Sequence, residues 1–131
     1  RLGVNHQTRA FTLDMADLYS AADLAICRAG AATCAELALF GTPALLVPYP
    51  YAARNHQLAN ARAFARHNGA HLIEERDLDS GWLADYIAGM ARAPERLARM
   101  RAAMRRLARA DAAERLADLV ESAANENRRA A

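Results

Sequence analysis

Two stretches of this 131-residue chain carry side chains whose types and spacing suit binding chemistry. The first is Arg28-Ala29-Gly30-Ala31-Ala32-Thr33, with Glu36 one turn further on. Small residues let a ligand approach the backbone. A helix start presents N–H groups and a positive dipole end to a phosphate or a sugar oxygen. A carboxylate at Glu36 can accept two hydrogen bonds from a vicinal diol such as a ribose. The second stretch is Pro48 to Asn60, PYPYAARNHQLAN, which contains His56, Gln57 and Asn60. Gln57 and Asn60 project from one helix face, and their amides both donate and accept, as sugar hydroxyls require. Each feature also has a purely structural explanation: an ordinary β-α turn, a Glu facing the helix dipole, and a capping Asn55 followed by a solvated polar face. His56 has the chemistry of a general base, but no Asp or Ser at triad spacing supports it. No His/Cys spacing resembles a zinc site, so neither a metal nor a cofactor is expected.

The elements that must position these residues follow from apolar periodicity. Val4 to Phe11 reads as a weak strand, and Asp14 as the cap of a short helix through Ser20. Leu24-Ala25-Ile26-Cys27, Ala44 to Val47 and Ala70 to Ile73 read as buried parallel strands. Between them lie helices from about Ala32 to Phe40, with Cys34, Leu37 and Phe40 on one side, and from Asn55 to about Asn68. Gly41 and Gly69 mark the ends of those two helices. Leu58, Ala61, Phe64 and Ala65 form the apolar stripe of the second. Glu74 to Asp77 is a charged loop. Three helices close the chain. The first starts at Asp79 or Ser80, with Leu83, Tyr86, Ile87 and Met90 inward. The next runs from Pro94 to about Ala110 on Leu97, Met100, Met104 and Leu107. The last runs from Asp111 to Asn125 on Leu116, Leu119 and Val120, before a tail expected to fray. The expected order is therefore β-α-β-α-β-α-β plus three helices, an α/β fold with a parallel sheet. Residues 1–78 would form its core and residues 79–131 its C-terminal helices.

Composition narrows the class. Hydrophobic residues are 53% of the chain, but 34 of them are Ala, so the core is thin for this length. All 17 basic residues are Arg. A net charge of +2 argues against a dedicated nucleic-acid binder. The arginines between Arg92 and Arg115, among them Arg96, Arg99, Arg105, Arg106 and Arg109, fit a solvated face first, and an anionic membrane or nucleic acid second. No apolar stretch reaches 18 residues, so no membrane span is expected. Cys27 and Cys34 are expected as reduced core thiols in a cytosolic protein. The chain starts without Met, and its first ten residues hold no complete element, so it reads as starting partway through a domain.

Cys27 to Phe64, CRAGAATCAELALFGTPALLVPYPYAARNHQLANARAF, resembles the donor-binding half of the MurG-type glycosyltransferases. The upstream AFTLDMADLYSAADLAI and the downstream GAHLIEERDL are similar too, so the resemblance covers about Ala10 to Leu78. R-x-G-x-x-T-x-x-E followed by H-Q-x-x-N is its specific part; either half alone suggests only GT-B transferases in general. The resemblance implies the C-terminal, Rossmann-like half of a GT-B fold. It implies inverting, metal-independent transfer of N-acetylglucosamine from UDP-N-acetylglucosamine to lipid I, giving lipid II for peptidoglycan. The backbone around Thr12 corresponds to the uracil-recognising segment. Arg28, Gly30, Ala31, Ala32 and Thr33 correspond to the diphosphate-facing turn, and Glu36 to the ribose carboxylate. Gln57 and Asn60 correspond to the amides that hold the sugar, with His56 adjoining them. The lipid I acceptor domain, the first glycine-rich βα unit and any catalytic base have no counterpart here. The implied setting is cytoplasmic, peripheral on the inner face of the cell membrane, with no nucleic acid partner. Another nucleotide-sugar transferase, an epimerase, or a non-catalytic binding module stand as alternatives.

Overall fold

The computed structural model describes residues 5–130. A short helix α1 (Met15–Ala21) leads to strand β1 (Ala25–Cys27), helix α2 (Ala31–Phe40), strand β2 (Ala44–Leu46), helix α3 (His56–Arg66) and strand β3 (Ala70–Leu72). Helices α4 (Ser80–Ala91), α5 (Pro94–Leu107) and α6 (Ala112–Ala130) follow. The three strands are parallel in the order β1-β2-β3, with Ile26 opposite Leu45 and Leu45 opposite His71. Residues 5–11 form no strand, and Val4 lies outside the described residues. The expected first strand is therefore absent among the described residues. Its sequence, VNHQTRAF, alternates too little to specify a buried face.

Pleating sorts the sheet residues onto two faces. Ala25, Cys27, Ala44, Leu46, Ala70 and Leu72 pack with Cys34 and Leu37 of α2, Ala61 and Phe64 of α3, and Met104 and Leu107 of α5. Leu45, Val47 and Ile73 face the other way, toward Leu78 and toward Leu83 and Tyr86 of α4. The result is a three-layer α/β/α sandwich in which β2 is buried along its whole length. Burial raises the Cys27 thiol and pushes Cys34 up to about 11, so both are inert thiols in that core.

Several boundaries differ from the sequence reading, each for a local reason. Asp14 makes no side-chain cap; its own N–H donates to Thr12 Oγ1 at 3.0 Å. Asn55 does not cap α3 either, because it sits in the left-handed region at φ 55 after a 3-10 turn, Ala53–Asn55. In α2, Ala38 rather than Phe40 shares the buried face with Cys34 and Leu37, and Phe40 packs on the Tyr19 ring at 5.9 Å. Ile87 is exposed rather than inward. With Leu24, Ile26, Pro94 and Leu97 it lines a groove of about 860 Å³ along the outer side of β1. Helix α5 stops at Leu107, not Ala110. Helix α6 starts at Ala112 and continues past Asn125 to Ala130, and its Leu116, Leu119 and Val120 are exposed.

Two glycines act differently. Gly41 closes α2 at φ 69, where its N–H bonds the Ala38 carbonyl at 3.0 Å. Asn68, not Gly69, takes the left-handed turn after α3, at φ 59. What Gly69 supplies is space: a Cβ there would lie 2.7 Å from Met104 Sδ, and Met104 is fully buried. Gly69→Ala is therefore expected to overpack the α3–α5 contact and cost about 1–3 kcal/mol. Urea denaturation checks this; a midpoint within error of the parent would contradict it.

Candidate functional site

The loops after all three strands meet at one end of the sheet, and polar side chains stitch them together. Arg28 follows β1 directly. Its Nη1 reaches Glu75 Oε2, after β3, at 2.6 Å, and the Val47 and Pro48 carbonyls, after β2, at 3.4 and 3.3 Å. Its guanidinium also lies over the Tyr49 ring, 5.5 Å from the centroid. One cation thus joins the carboxyl ends of all three strands. Gln57 and Asn60, on the same face of α3, converge on Ala29. Gln57 Oε1 accepts from the Ala29 N–H at 3.2 Å and the Tyr49 N–H at 2.9 Å. Asn60 Nδ2 donates to the Ala29 carbonyl at 3.0 Å. The amides therefore spend one end each on the scaffold, which leaves Gln57 Nε2 and Asn60 Oδ1 for a ligand.

The start of α2 is open. Gly30 occupies the N-cap position without a side-chain cap, and the first intrahelical bond runs from the Cys34 N–H to the Gly30 carbonyl at 2.9 Å. The N–H groups of Ala31, Ala32 and Thr33 therefore have no partner inside the helix. Ala31 and Ala32 are exposed. Gly30 has an ordinary φ of −63, and a Cβ there would meet only Thr33 Oγ1 at 3.6 Å. Neither its backbone nor its neighbours demand glycine, so its contribution is the open surface above the turn. Glu36 is exposed beside Tyr19, whose phenol is raised by burial and then by the Glu36 carboxylate. Ala31, Glu36 and Asn60 line one groove of about 380 Å³ with Phe64 and Arg109. His56 is exposed, and its Nδ1 donates to the Ala53 carbonyl at 2.7 Å, which leaves Nε2 outward. Thr12 stands apart in the extended segment before α1, where its hydroxyl orients Asp14.

The structure thus gathers Arg28, Gln57 and Asn60 around Ala29, and Glu36 near the open start of α2, while among the described residues no hydrogen bond joins Thr12 or His56 to that group. Sequence reading missed Glu75 and Tyr49 as partners of Arg28, because both sit in loops where no periodicity marks them. Two acids beside this end of the sheet have structural partners: Asp79 caps α4, accepting from the Trp82 N–H at 2.9 Å, and Asp77 pairs with Arg76. Among the described residues, no group of three or more His, Cys, Asp or Glu is placed to hold a metal ion.

Parallel strands with such loops at their carboxyl ends define a Rossmann-like α/β domain of the kind that forms half of a GT-B fold, although only β2 is fully buried and β1, expected as a buried strand, leaves Ile26 41% exposed at the sheet edge. Residues 1–116 match the glycosyltransferase family 28 C-terminal domain, and the chain belongs to that family. It is 42% identical over 95% of its length to a Sinorhizobium fredii UDP-N-acetylglucosamine--N-acetylmuramyl-(pentapeptide) pyrophosphoryl-undecaprenol N-acetylglucosamine transferase, covering 34% of that protein. It is 51% identical over 85% of its length to a Gloeobacter violaceus protein of the same name, covering 31% of it. The crystal structure of Acinetobacter baumannii MurG superposes with a TM-score of 0.82 at 34% identity, over 88% of this chain and 33% of that one. The chain spans about a third of the length of the curated relatives it matches.

Gln57→Ala removes the acceptor of two backbone N–H groups and is expected to cost about 1–3 kcal/mol of stability. Gln57→Glu keeps an oxygen at that position and should retain most of it. Chemical denaturation of both variants checks this; equal losses would show that the amide does not hold the loops.

Proposed function

We propose that this chain is the donor-binding part of a UDP-N-acetylglucosamine transferase that acts on the lipid-linked muramyl-pentapeptide of peptidoglycan synthesis, converting lipid I to lipid II. The observation that carries this reading is the open start of α2 with Glu36 and the Ala29-centred amides beside it. Unpartnered N–H groups and the helix dipole suit the diphosphate, and stabilise the charge that develops on UDP as it leaves. Glu36 suits the ribose diol, Gln57 Nε2 and Asn60 Oδ1 the sugar hydroxyls, and the segment at Thr12 the uracil. Arg28 orients this set by holding its loops, and His56 Nε2 adjoins the sugar. The names of the relatives support the donor and the acceptor. Lipid I binding and the catalytic base are assigned to the part of the relatives' length that this chain does not match. A lipid acceptor places the whole enzyme at the cytoplasmic face of the membrane as a peripheral protein; no helix among the described residues is long and apolar enough to cross it.

Calorimetric titration with UDP-N-acetylglucosamine tests the reading. Glu36→Ala should weaken binding by about 1.5–3 kcal/mol, the scale of a hydrogen bond to a charged group. Gln57→Glu, folded but without its Nε2 donor, should weaken the sugar nucleotide more than UDP alone. An affinity untouched by Glu36→Ala would sink the ribose assignment.

A further inference from the structure

The arginines of α5 do not all behave as a solvated face. Arg101 donates to the Ala22 carbonyl at 3.0 Å, and Arg105 lies against Gly41. Arg96, Arg99 and Arg106 instead line a single groove of about 500 Å³, opposite Asn68 and His71 at the outer edge of β3. Their spacing puts them on one side of the helix, in a row of roughly 15 Å. Among the described residues none of the three has a carboxylate within 4.0 Å, whereas Arg28, Arg76, Arg101 and Arg115 all do. No Asp or Glu lines this groove or the one adjoining it, where Trp82 and Tyr86 meet Arg96.

One end of the row is built rather than loose. Arg96 Nη2 lies 3.4 Å from His71 Nε2, and His71 Nδ1 lies 2.8 Å from the Tyr86 hydroxyl. A guanidinium can only donate, so Nε2 accepts and the imidazole proton sits on Nδ1, toward Tyr86. Burial and then Arg96 lower the His71 pKa, which agrees with a neutral ring in that role. Tyr86 in turn stacks on Trp82, with centroids 5.1 Å apart and planes 10° off parallel. Trp82 is 39% exposed, so an indole borders the row of guanidinium groups. None of the lining residues belongs to the loops that carry the candidate donor site.

We propose that the groove formed by Arg96, Arg99 and Arg106 with His71, Asn68 and Trp82 is a second phosphate-binding site, and that its occupant is the headgroup layer of an anionic lipid surface. Charge complementarity selects the ligand class: a row of cations without carboxylates attracts anionic phosphate groups. The length of the row selects the source, since one free phosphate engages a single arginine pair while a lipid surface meets all three. An exposed indole beside arginines suits the interface between headgroups and acyl chains.

Cosedimentation of the full chain with phosphatidylglycerol vesicles, and with phosphatidylcholine vesicles, tests this. Binding is expected to the anionic vesicles only and to fall with salt. The R96Q/R99Q/R106Q variant should bind about a hundredfold more weakly, on a scale of about fivefold per arginine. R96K/R99K/R106K should keep most of the binding, and Glu36→Ala should keep all of it. Thermal unfolding of the glutamine variant separates lost binding from lost folding, and the lysine variant carries the test if the glutamine variant does not fold. The proposal is overturned by equal vesicle binding of the parent and a folded glutamine variant, or by loss of binding in the lysine variant. It is overturned equally if millimolar inorganic phosphate at constant ionic strength abolishes vesicle binding, or if a single-stranded oligonucleotide binds and the vesicles do not.

Discussion

The arrangement depends on the cross-link that Arg28 makes between the ends of three very short strands. Each strand pairs over only three residues. A ladder that short gives little to fix the loops leaving it, and the Ala-rich helices above contribute few large side chains. The Arg28–Glu75 ion pair is about half exposed on both sides, so its charge attraction alone adds little. Its value is geometric: the same guanidinium occupies two carbonyls after β2 and stacks on Tyr49. Gln57 repeats the device from α3, with one oxygen serving N–H groups that follow two different strands. Backbone groups that emerge from a sheet without partners are costly to bury, and these two side chains supply the partners.

That cross-link lets the residues of the proposed donor site serve as scaffold too. An amide has two ends of opposite character. Gln57 commits its acceptor and Asn60 its donor to the loops. The ends that remain are then held in place before any ligand arrives, so binding loses less side-chain freedom. The sequence left open a solvated polar face or a sugar-binding role for these amides; Asn55 makes no cap, Gln57 and Asn60 hold the loops, and in the proposed function their remaining ends meet the sugar. A lysine at either position has no acceptor, and a hydroxyl carries its donor and acceptor on a single atom.

Much of the architecture was legible in the residues because it rests on short-range chemistry. Three apolar runs bounded by turn residues became the three strands, Pro94 opened α5, and Gly41 closed α2 in the left-handed conformation. What stayed hidden depends on tertiary partners. Nothing local in Glu75 announces that Arg28 will reach it across the sheet. Asn68 took the turn assigned to Gly69 because Gly69 was needed for contact with Met104, a residue 35 positions away. The apolar stripe of α6 was read correctly as a stripe, but periodicity does not name the surface that covers it, and its leucines are exposed.

The open start of α2 is the place where local stability and ligand chemistry pull apart. Ser, Thr or Asp at position 30 would cap the helix and satisfy an N–H, a gain over Gly of only a few tenths of a kcal/mol. Gly30 forgoes that, although its φ of −63 leaves the position open to any residue. A side-chain oxygen there would occupy the same N–H groups that an anionic ligand uses and would set a partial negative charge against it. An uncapped helix flanked by a rigid polar cross-link is therefore a consistent design: the cross-link fixes the loops from below, so the turn above them needs no cap of its own. In the proposed function, a docked phosphate would offset the stability withheld at Gly30 and so tie the order of this end of the sheet to donor binding.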